Sequence, residues 1–487
     1  MTHTADQPPS PSPTEATTTP TPNSPEQPNA PSPGVADRER FRLHWSVDMW
    51  RDFNPRSWLT VIGDDTAPAA DRLRAAVDTF TNAISTSGVL SSPQAAQYWT
   101  YHTARSGFFA VQAIVGLAAA RFAASSDVSD NGPLTRWEQI ARNGWQGPLA
   151  EAFLSYYQDY EMIKEGTYKM PYDGVELRPT NRQFNPLYIL RKGALFLSEA
   201  TETLRRRERN APDEVWLRSA FFPPYYESNT FHYQSDGWLS ARSAAVYESS
   251  TETLFVGRQD AMQRTTLVHF SEFFADKATV YTDPSQVKAL EIACGTGRFA
   301  TFVKDNYPTL DLTVSDLSPF YLAAARDNIK YWKRLRDADA VMPGVDGNGT
   351  TFLQAAAESL STIDDASFDI VYCVYLFHEL PEDVRTQVVK EMARVVKPGG
   401  MVVLTDSVQV GDRPCYDGTL SGFGKFNEPY YENYLVTDLG GLFEEAGLTP
   451  NLKVVSSTTK SLSFVKKEEG AGGVDGGAIT VDTTLLN

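Results

Sequence analysis

Cysteine is scarce in this chain. Cys294, Cys373 and Cys415 lie far apart, with no Cys-x-x-Cys pair and no histidine at zinc-ligand spacing. That argues against a disulfide framework and against a metal site, and it suits a reducing, cytoplasmic compartment. Positive charge is also short. Against 61 Asp and Glu stand 44 Lys and Arg, for a net charge of −17. Such a balance repels phosphate backbones and anionic membranes at long range. No basic stripe with interleaved aromatics offsets it, so no nucleic-acid partner is expected. Long apolar runs are missing too. The longest, residues 107–124, contains Gln112 and Arg121 and is rich in alanine. A membrane span wants about 20 predominantly apolar residues, so a buried helix is expected there instead. No Lys or Arg precedes Arg38, which leaves no basic stretch for a targeting leader.

What is present divides unevenly. Residues 1–36 are mainly Pro, Ser, Thr and Ala, too polar to bury a core, and read as a disordered tail. Residues 37–224 carry helical patterns and read as a mainly α-helical N-terminal domain. Leu73, Ala76, Val77 and Phe80 have helical spacing, and helices are expected over 67–85, 94–124, 134–164 and 187–207. The Asn131-Gly132-Pro133 run breaks the middle pair. Residues 225–285 begin with interleaved aromatic and polar groups, then suggest two helices over 239–274 parted at Gly257. The aromatic stretch fits either a packed joint between domains or the wall of a substrate cleft. As a cleft wall it would offer Tyr225, Tyr226, His232, Tyr233 and Trp238 to a small molecule. Residues 286–467 alternate strands with helices, which argues a parallel sheet. The glycine-rich 468–487 read as a second tail.

The alternation is organised around Ala289-Leu-Glu-Ile-Ala-Cys-Gly-Thr-Gly-Arg-Phe-Ala300, a short buried strand, a glycine turn and a helix start. Gly295 and Gly297 lack a Cβ, so the turn can be tight and a ligand can approach the backbone. The helix N-terminus favours an anionic group. Asp316 follows Gly297 by 19 positions at the end of the next strand, the placement of an acid that binds a ribose hydroxyl pair. These features fit a dinucleotide site as well as any other adenosine site.

Glu-x-Ala-Cys-Gly-x-Gly resembles the first motif of class I S-adenosylmethionine-dependent methyltransferases, with Ala293 in place of the first glycine. Three further blocks in the same order strengthen the resemblance. They are Gln354-Ala-Ala-Ala-Glu-Ser-Leu, Phe368-Asp-Ile-Val-Tyr-Cys followed by a loop through His378, and Val395-Val-Lys-Pro-Gly-Gly-Met-Val-Val-Leu. The match runs over residues 287–466 and is nearest the ubiquinone/menaquinone-type enzymes. It implies a Rossmann-like seven-stranded sheet with an antiparallel last strand, and S-adenosyl-L-methionine as cofactor. It places the cofactor on Glu291, Ala293, Gly295, Thr296, Gly297, Asp316, Leu317, Ala357, Glu358 and Tyr375. Ala356 stands where an adenine-binding acid is usual, with Glu358 as the substitute.

Methyl transfer to a hydroxyl or carbon acid needs proton removal, and His378 is the candidate base, oriented by Asp383 or Glu379. The expected activity is methylation of a small-molecule acceptor without a metal. Two alternatives remain at this level: a cofactor-binding protein without turnover, and a nicotinamide oxidoreductase. The acceptor and the oligomeric state are not legible.

Overall fold

The computed structural model describes residues 31–55, 91–123, 146–171, 186–209, 222–227, 231–278, 280–281, 283–339 and 350–468. The expected helix over 67–85, the break at 131–133, residues 1–30 of the first tail and 469–487 of the second lie outside them.

Ala289, Leu290, Glu291 and Ile292 are all buried, so the strand they form, β2 (Lys288–Ile292), is covered on both faces. Strands of that kind belong to the middle of a parallel sheet. The others are β1 (Arg42–Leu43), β3 (Asp311–Asp316), β4 (Thr351–Gln354), β5 (Phe368–Val374), β6 (Val396–Ser407), β7 (Leu448–Ser456) and β8 (Thr459–Lys466). They lie in the order β1-β7-β8-β6-β5-β2-β3-β4. β8 runs antiparallel to both β6 and β7, and the remaining pairs are parallel. Strands β2–β8 are the seven expected.

The eighth was not expected. Arg42 and Leu43 pair with Leu452 and Lys453 at the sheet edge. Two residues are too few for a period-2 pattern to register. The helix Trp45–Asp52 follows and buries Trp50 against the same face of the sheet as Val388, Met392 and Phe443.

Alternate strand residues feed two cores. Leu290, Ile292, Val371 and Cys373 face the helices Trp45–Asp52 and Glu382–Val395. Ala289, Leu312, Ile370 and Tyr372 face Phe270, Phe299, Phe302 and Ile329 on the opposite side. The helices Pro93–Ala123 and Gln146–Lys164 add Tyr98, Trp99 and Tyr156 to this second core. From Ser32 onward the helical segments and the sheet thus form one unit rather than parting near residues 224 and 285. Between them run three helices where two were expected: Ala241–Leu254, Gln259–Arg264 and Thr266–Asp276. Gly257, at φ +82°, makes the first break, and Thr265 the second. No helix among the described residues is long and apolar enough to cross a membrane.

The strand order reverses between β2 and β5. At such a switch point the loops leaving the two strands diverge and open a crevice at their C-terminal ends. The turn after β2 and the loop after β5 both sit there.

Candidate active site

One cavity of about 330 Å³ opens at this crevice. Ala293 and Gly295 from the β2 turn, Asp316 and Leu317 from the end of β3, and Ala355 and Ala357 after β4 line one part of it. Asp316 is held in place by backbone amides. Gly295 N–H donates to its Oδ2 and Ser318 N–H to its Oδ1, each at 2.8 Å. Burial pushes its carboxyl up to about 7, with those two amides pulling the other way. Gly295, at φ +55°, has nothing within 4 Å of where a Cβ would stand. The bend is open. Ala293 adopts φ +54°, a left-handed backbone that glycine takes without strain and alanine does not.

The remaining residues expected around the cofactor divide. Gly297 serves the packing: a Cβ there would stand 3.0 Å from that of Ala325 in the helix Pro319–Asp339. Thr296 turns away and donates its hydroxyl to Glu248 at 2.8 Å. Glu291 lies buried within the sheet, off the cavity wall, accepting a 3.1 Å hydrogen bond from Tyr372, and burial lifts it to about 8. Glu358 accepts from the Tyr225 hydroxyl at 2.9 Å through Oε1, while its buried Oε2 has no hydrogen-bond partner among the described residues.

The loop after β5 supplies the other part. Tyr375 lines the cavity at φ +58°, and its hydroxyl lies 2.6 Å from Thr459 Oγ1. Asp406, fully buried at the end of β6, organises this loop. Its Oδ2 accepts from the amides of Leu376 and Phe377 at 3.2 and 2.7 Å, and its Oδ1 from Ser407 N–H at 2.7 Å. Oδ1 also lies 2.6 Å from His378 Nδ1. The orienting acid is therefore Asp406, not Asp383; Glu379 stands 3.5 Å from Nε2 on the other side of the ring. Burial opposes charge on His378, but Asp406 and then Glu379 override it and hold its pKa well above the ordinary imidazole value.

Aromatic groups from 225–247 close over this arrangement. Trp238, Tyr247 and Tyr321 meet edge to face with centroids 5.5–5.6 Å apart. Tyr225, Tyr226, His232 and Trp238 all line the cavity; the side chain of Tyr233 lies outside the described residues. His232 bridges two acids, with Nε2 at 2.9 Å from Glu379 Oε1 and Nδ1 at 3.0 Å from Glu428 Oε1. Burial works against its charge, and the two carboxylates more than offset that, raising it to about 9. Asp406, His378, Glu379, His232 and Glu428 form one chain of acids and imidazoles along the wall. Among the described residues no three His, Cys, Asp or Glu side chains are placed to hold a metal ion.

Sequence reasoning left Asp406 and Glu428 without a role, along with the rings of Tyr247 and Tyr321; the tyrosines of residues 429–434 read as pocket wall or loop anchors, and Tyr431 lines the cavity. Asp406 had a usable signal, an acid at the C-terminal end of a buried parallel strand. Glu428 sits in the connection from β6 to the helix Tyr431–Val436, whose path no periodicity reveals.

An acid beside a glycine turn serves adenosine in two architectures, and the sheet separates them. Dinucleotide enzymes of the doubly wound type use the order 3-2-1-4-5-6. Here the antiparallel β8 is inserted between β6 and β7. The C-terminal part of the chain is a class I S-adenosylmethionine-dependent methyltransferase domain, and residues 289–400 match the methyltransferase-domain family. An uncharacterised methyltransferase of Synechocystis is 25% identical over 33% of this chain and 66% of its own length. Demethylmenaquinone methyltransferases of Deinococcus radiodurans and Bacillus subtilis are 32% and 36% identical, over 24% and 20% of this chain and 42% and 47% of their own lengths. The chain thus spans less than two thirds of each of these relatives. The cofactor fits the site, since the open side of Gly295 and the carboxylate of Asp316 face the same space.

Proposed function

We propose that the protein methylates a hydroxyl or carbon acid on a small molecule, with S-adenosylmethionine as donor. The supporting observation is that Gly295 and Asp316, and His378 backed by Asp406, line a single cavity. The cofactor supplies a methyl group on a sulfonium, already activated for displacement. Asp316 would hold the ribose hydroxyls, and Ala293, Leu317, Ala355 and Ala357 leave room for flat or apolar parts of the nucleoside.

The chain's own task is then to free the acceptor of its proton and keep water out. A hydroxyl or carbon acid is a poor nucleophile until the proton leaves. His378 Nδ1 is committed to Asp406, so Nε2 is the atom that receives it. Because His378 holds its own proton well above the usual range, turnover should climb with pH as the imidazolium empties, with the limb above about 6.5. The wall of Phe231, Trp238, Tyr247 and Tyr431 excludes solvent from the cavity.

Calorimetric titration with S-adenosylhomocysteine, and transfer of label from methyl-labelled cofactor to a metabolite extract, test this. His378→Ala should bind the nucleoside as the parent does and lose roughly 10²- to 10⁴-fold in label transfer. Unchanged transfer would remove His378 as the base. A parent protein that binds no S-adenosylhomocysteine would remove the whole reading.

A further inference from the structure

The cavity does not end at the cofactor crevice. Its wall continues onto the helices Pro93–Ala123, Pro186–Arg209 and Ala241–Leu254 through Ala113, Gly116, Phe196, Leu254 and Phe255. None of these helices belongs to the region that matches the methyltransferase-domain family.

Three observations describe what this wall accepts. The residues just named are apolar, and two of the hydroxyls beside them are already engaged. Thr251 donates to the carbonyl of Tyr247 at 3.1 Å, and Thr253 to that of Ser249 at 2.6 Å. Next, the cavity carries four carboxylates, Glu199, Asp316, Glu379 and Glu428, against two imidazoles raised toward their charged form, His232 and His378, and no Lys or Arg among its described lining residues, which leaves more negative than positive groups on it. A lining of that sign disfavours an anion. Last, Gln259 is 4% exposed and lines the cavity, yet its Oε1 has no hydrogen-bond partner among the described residues. A buried carbonyl oxygen without a donor is costly, and a ligand bearing N–H or O–H would relieve it.

We propose that this helical wall with Gln259 is the acceptor subsite, selecting an uncharged molecule whose apolar body lies on the wall while a hydrogen-bond donor meets Gln259 Oε1. The proposal rests on the methyltransferase reading above and deepens it. It gives the helical segment a specificity role: the sheet holds the cofactor, and the helices choose what is methylated.

Fluorescent probes test it without knowledge of the acceptor. N-phenyl-1-naphthylamine is neutral and carries one N–H; 1-phenylnaphthalene lacks the donor, and 8-anilino-1-naphthalenesulfonate adds a negative charge. The first should bind saturably, and the anionic probe at least about tenfold more weakly. Gly116→Trp, which fills the wall, should weaken the neutral amine at least about tenfold while leaving its affinity for S-adenosylhomocysteine within about twofold of the parent's. Gln259→Leu should weaken the amine by about threefold to tenfold and leave 1-phenylnaphthalene unchanged. Ala113→Leu, a smaller intrusion, repeats the first arm if Gly116→Trp fails to fold.

Unaltered amine binding in the filled variant would put the probe on the exposed outer face of the same helix, at Phe108, Val111 and Val115, and overturn the proposal. Equal affinity for the anionic probe would overturn it too, as would equal losses of both neutral probes in Gln259→Leu. Failure of the parent to bind S-adenosylhomocysteine would instead count against the methyltransferase reading, because the probe arms do not depend on it.

Discussion

Asp316 carries a consequence for pH. Its folded pKa is lifted to about 7 by burial, so before a nucleoside binds the carboxyl is largely protonated in mildly acid solution. A ribose hydroxyl pair needs the ionised form as acceptor, and binding therefore competes with protonation. Affinity for S-adenosylhomocysteine should be nearly flat above pH 8 and fall about tenfold per unit below pH 7. Titrations at pH 6 and 8 measure it, and equal affinities would mean that Asp316 does not carry the sugar. Ala293 and Gly295 give the complementary test. Gly295→Val places a branched side chain in the open cavity at a left-handed φ, so nucleoside binding should vanish at a folding cost of about 1–2 kcal/mol. Ala293→Gly relieves strain at φ +54° and should leave binding intact with stability equal to or up to about 1 kcal/mol above the parent, by urea denaturation. A destabilised Ala293→Gly would show that the alanine methyl packs more than it strains. Gly295 and Asp316 were legible in the sequence because strand ends and chain spacing alone place them. Thr296 and Glu358 were not, because a side chain on a tight loop points where its neighbours permit, and those neighbours, Glu248 and Tyr225, come from distant segments.

Among the elements, the stretch from Phe231 to Ser240 behaves as a cover held by hydrogen bonds at Gln234, Ser235 and Trp238 and by a charged contact at His232. His232, at φ +57° in a single 3-10 turn, reaches Glu379 on the β5 loop and Glu428 on the connection after β6. Three segments distant in the chain meet at one imidazole. The sign of its pKa shift sets the behaviour. A histidine raised to about 9 contributes its full stabilisation below the unfolded value near 6.5 and loses it as pH rises through about 9. Hydrogen exchange at 231–240 should therefore stay slow at pH 7 and accelerate once titration above pH 9 is complete, beyond the intrinsic base-catalysed increase. His232→Asn, whose side chain tolerates the left-handed backbone, should show fast exchange at both pH values. Equal protection in that variant would deny His232 its tethering role. The aromatic density of this stretch was readable as a cleft wall or a joint. Its anchoring was not, since the partners lie 147 and 196 positions away in the chain.

Across the whole molecule, the helices and the sheet are joined by charge as much as by apolar surface. Arg413 makes a two-pronged contact with Glu151 at 2.8 and 2.9 Å, Arg264 does the same with Asp159 at 2.5 and 2.9 Å, and Arg298 and Arg105 converge on Asp260. A fully buried cluster ties the N-terminal strap, residues 33–52, to the sheet; its first helix, Pro33–Arg40, begins inside the stretch that composition assigns to the tail. Asp37 receives Lys453 at 2.8 Å and Lys460 at 3.0 Å, both lysines also meet Asp412, and the four side chains are at most 1% exposed. Two cations and two anions balance there, which is the condition under which buried ions are tolerated at all. Burial acts to raise the Asp37 carboxyl, and the two lysines outweigh it to leave the pKa lowered. Removing one partner leaves a buried charge uncompensated. Asp37→Ala should accordingly cost about 3–5 kcal/mol in urea denaturation, while Asp48→Ala, in the exposed pair with Arg38, should cost less than about 1 kcal/mol. Because the strap supplies β1 and Trp50, the loss at Asp37 should propagate to the sheet edge and free β7 for exchange. A variant that loses under about 1 kcal/mol would mean that the strap is held by Trp50 and strand pairing alone. The attraction within the cluster would then do no more than offset the cost of burying its charges, and the tie between strap and sheet would be apolar.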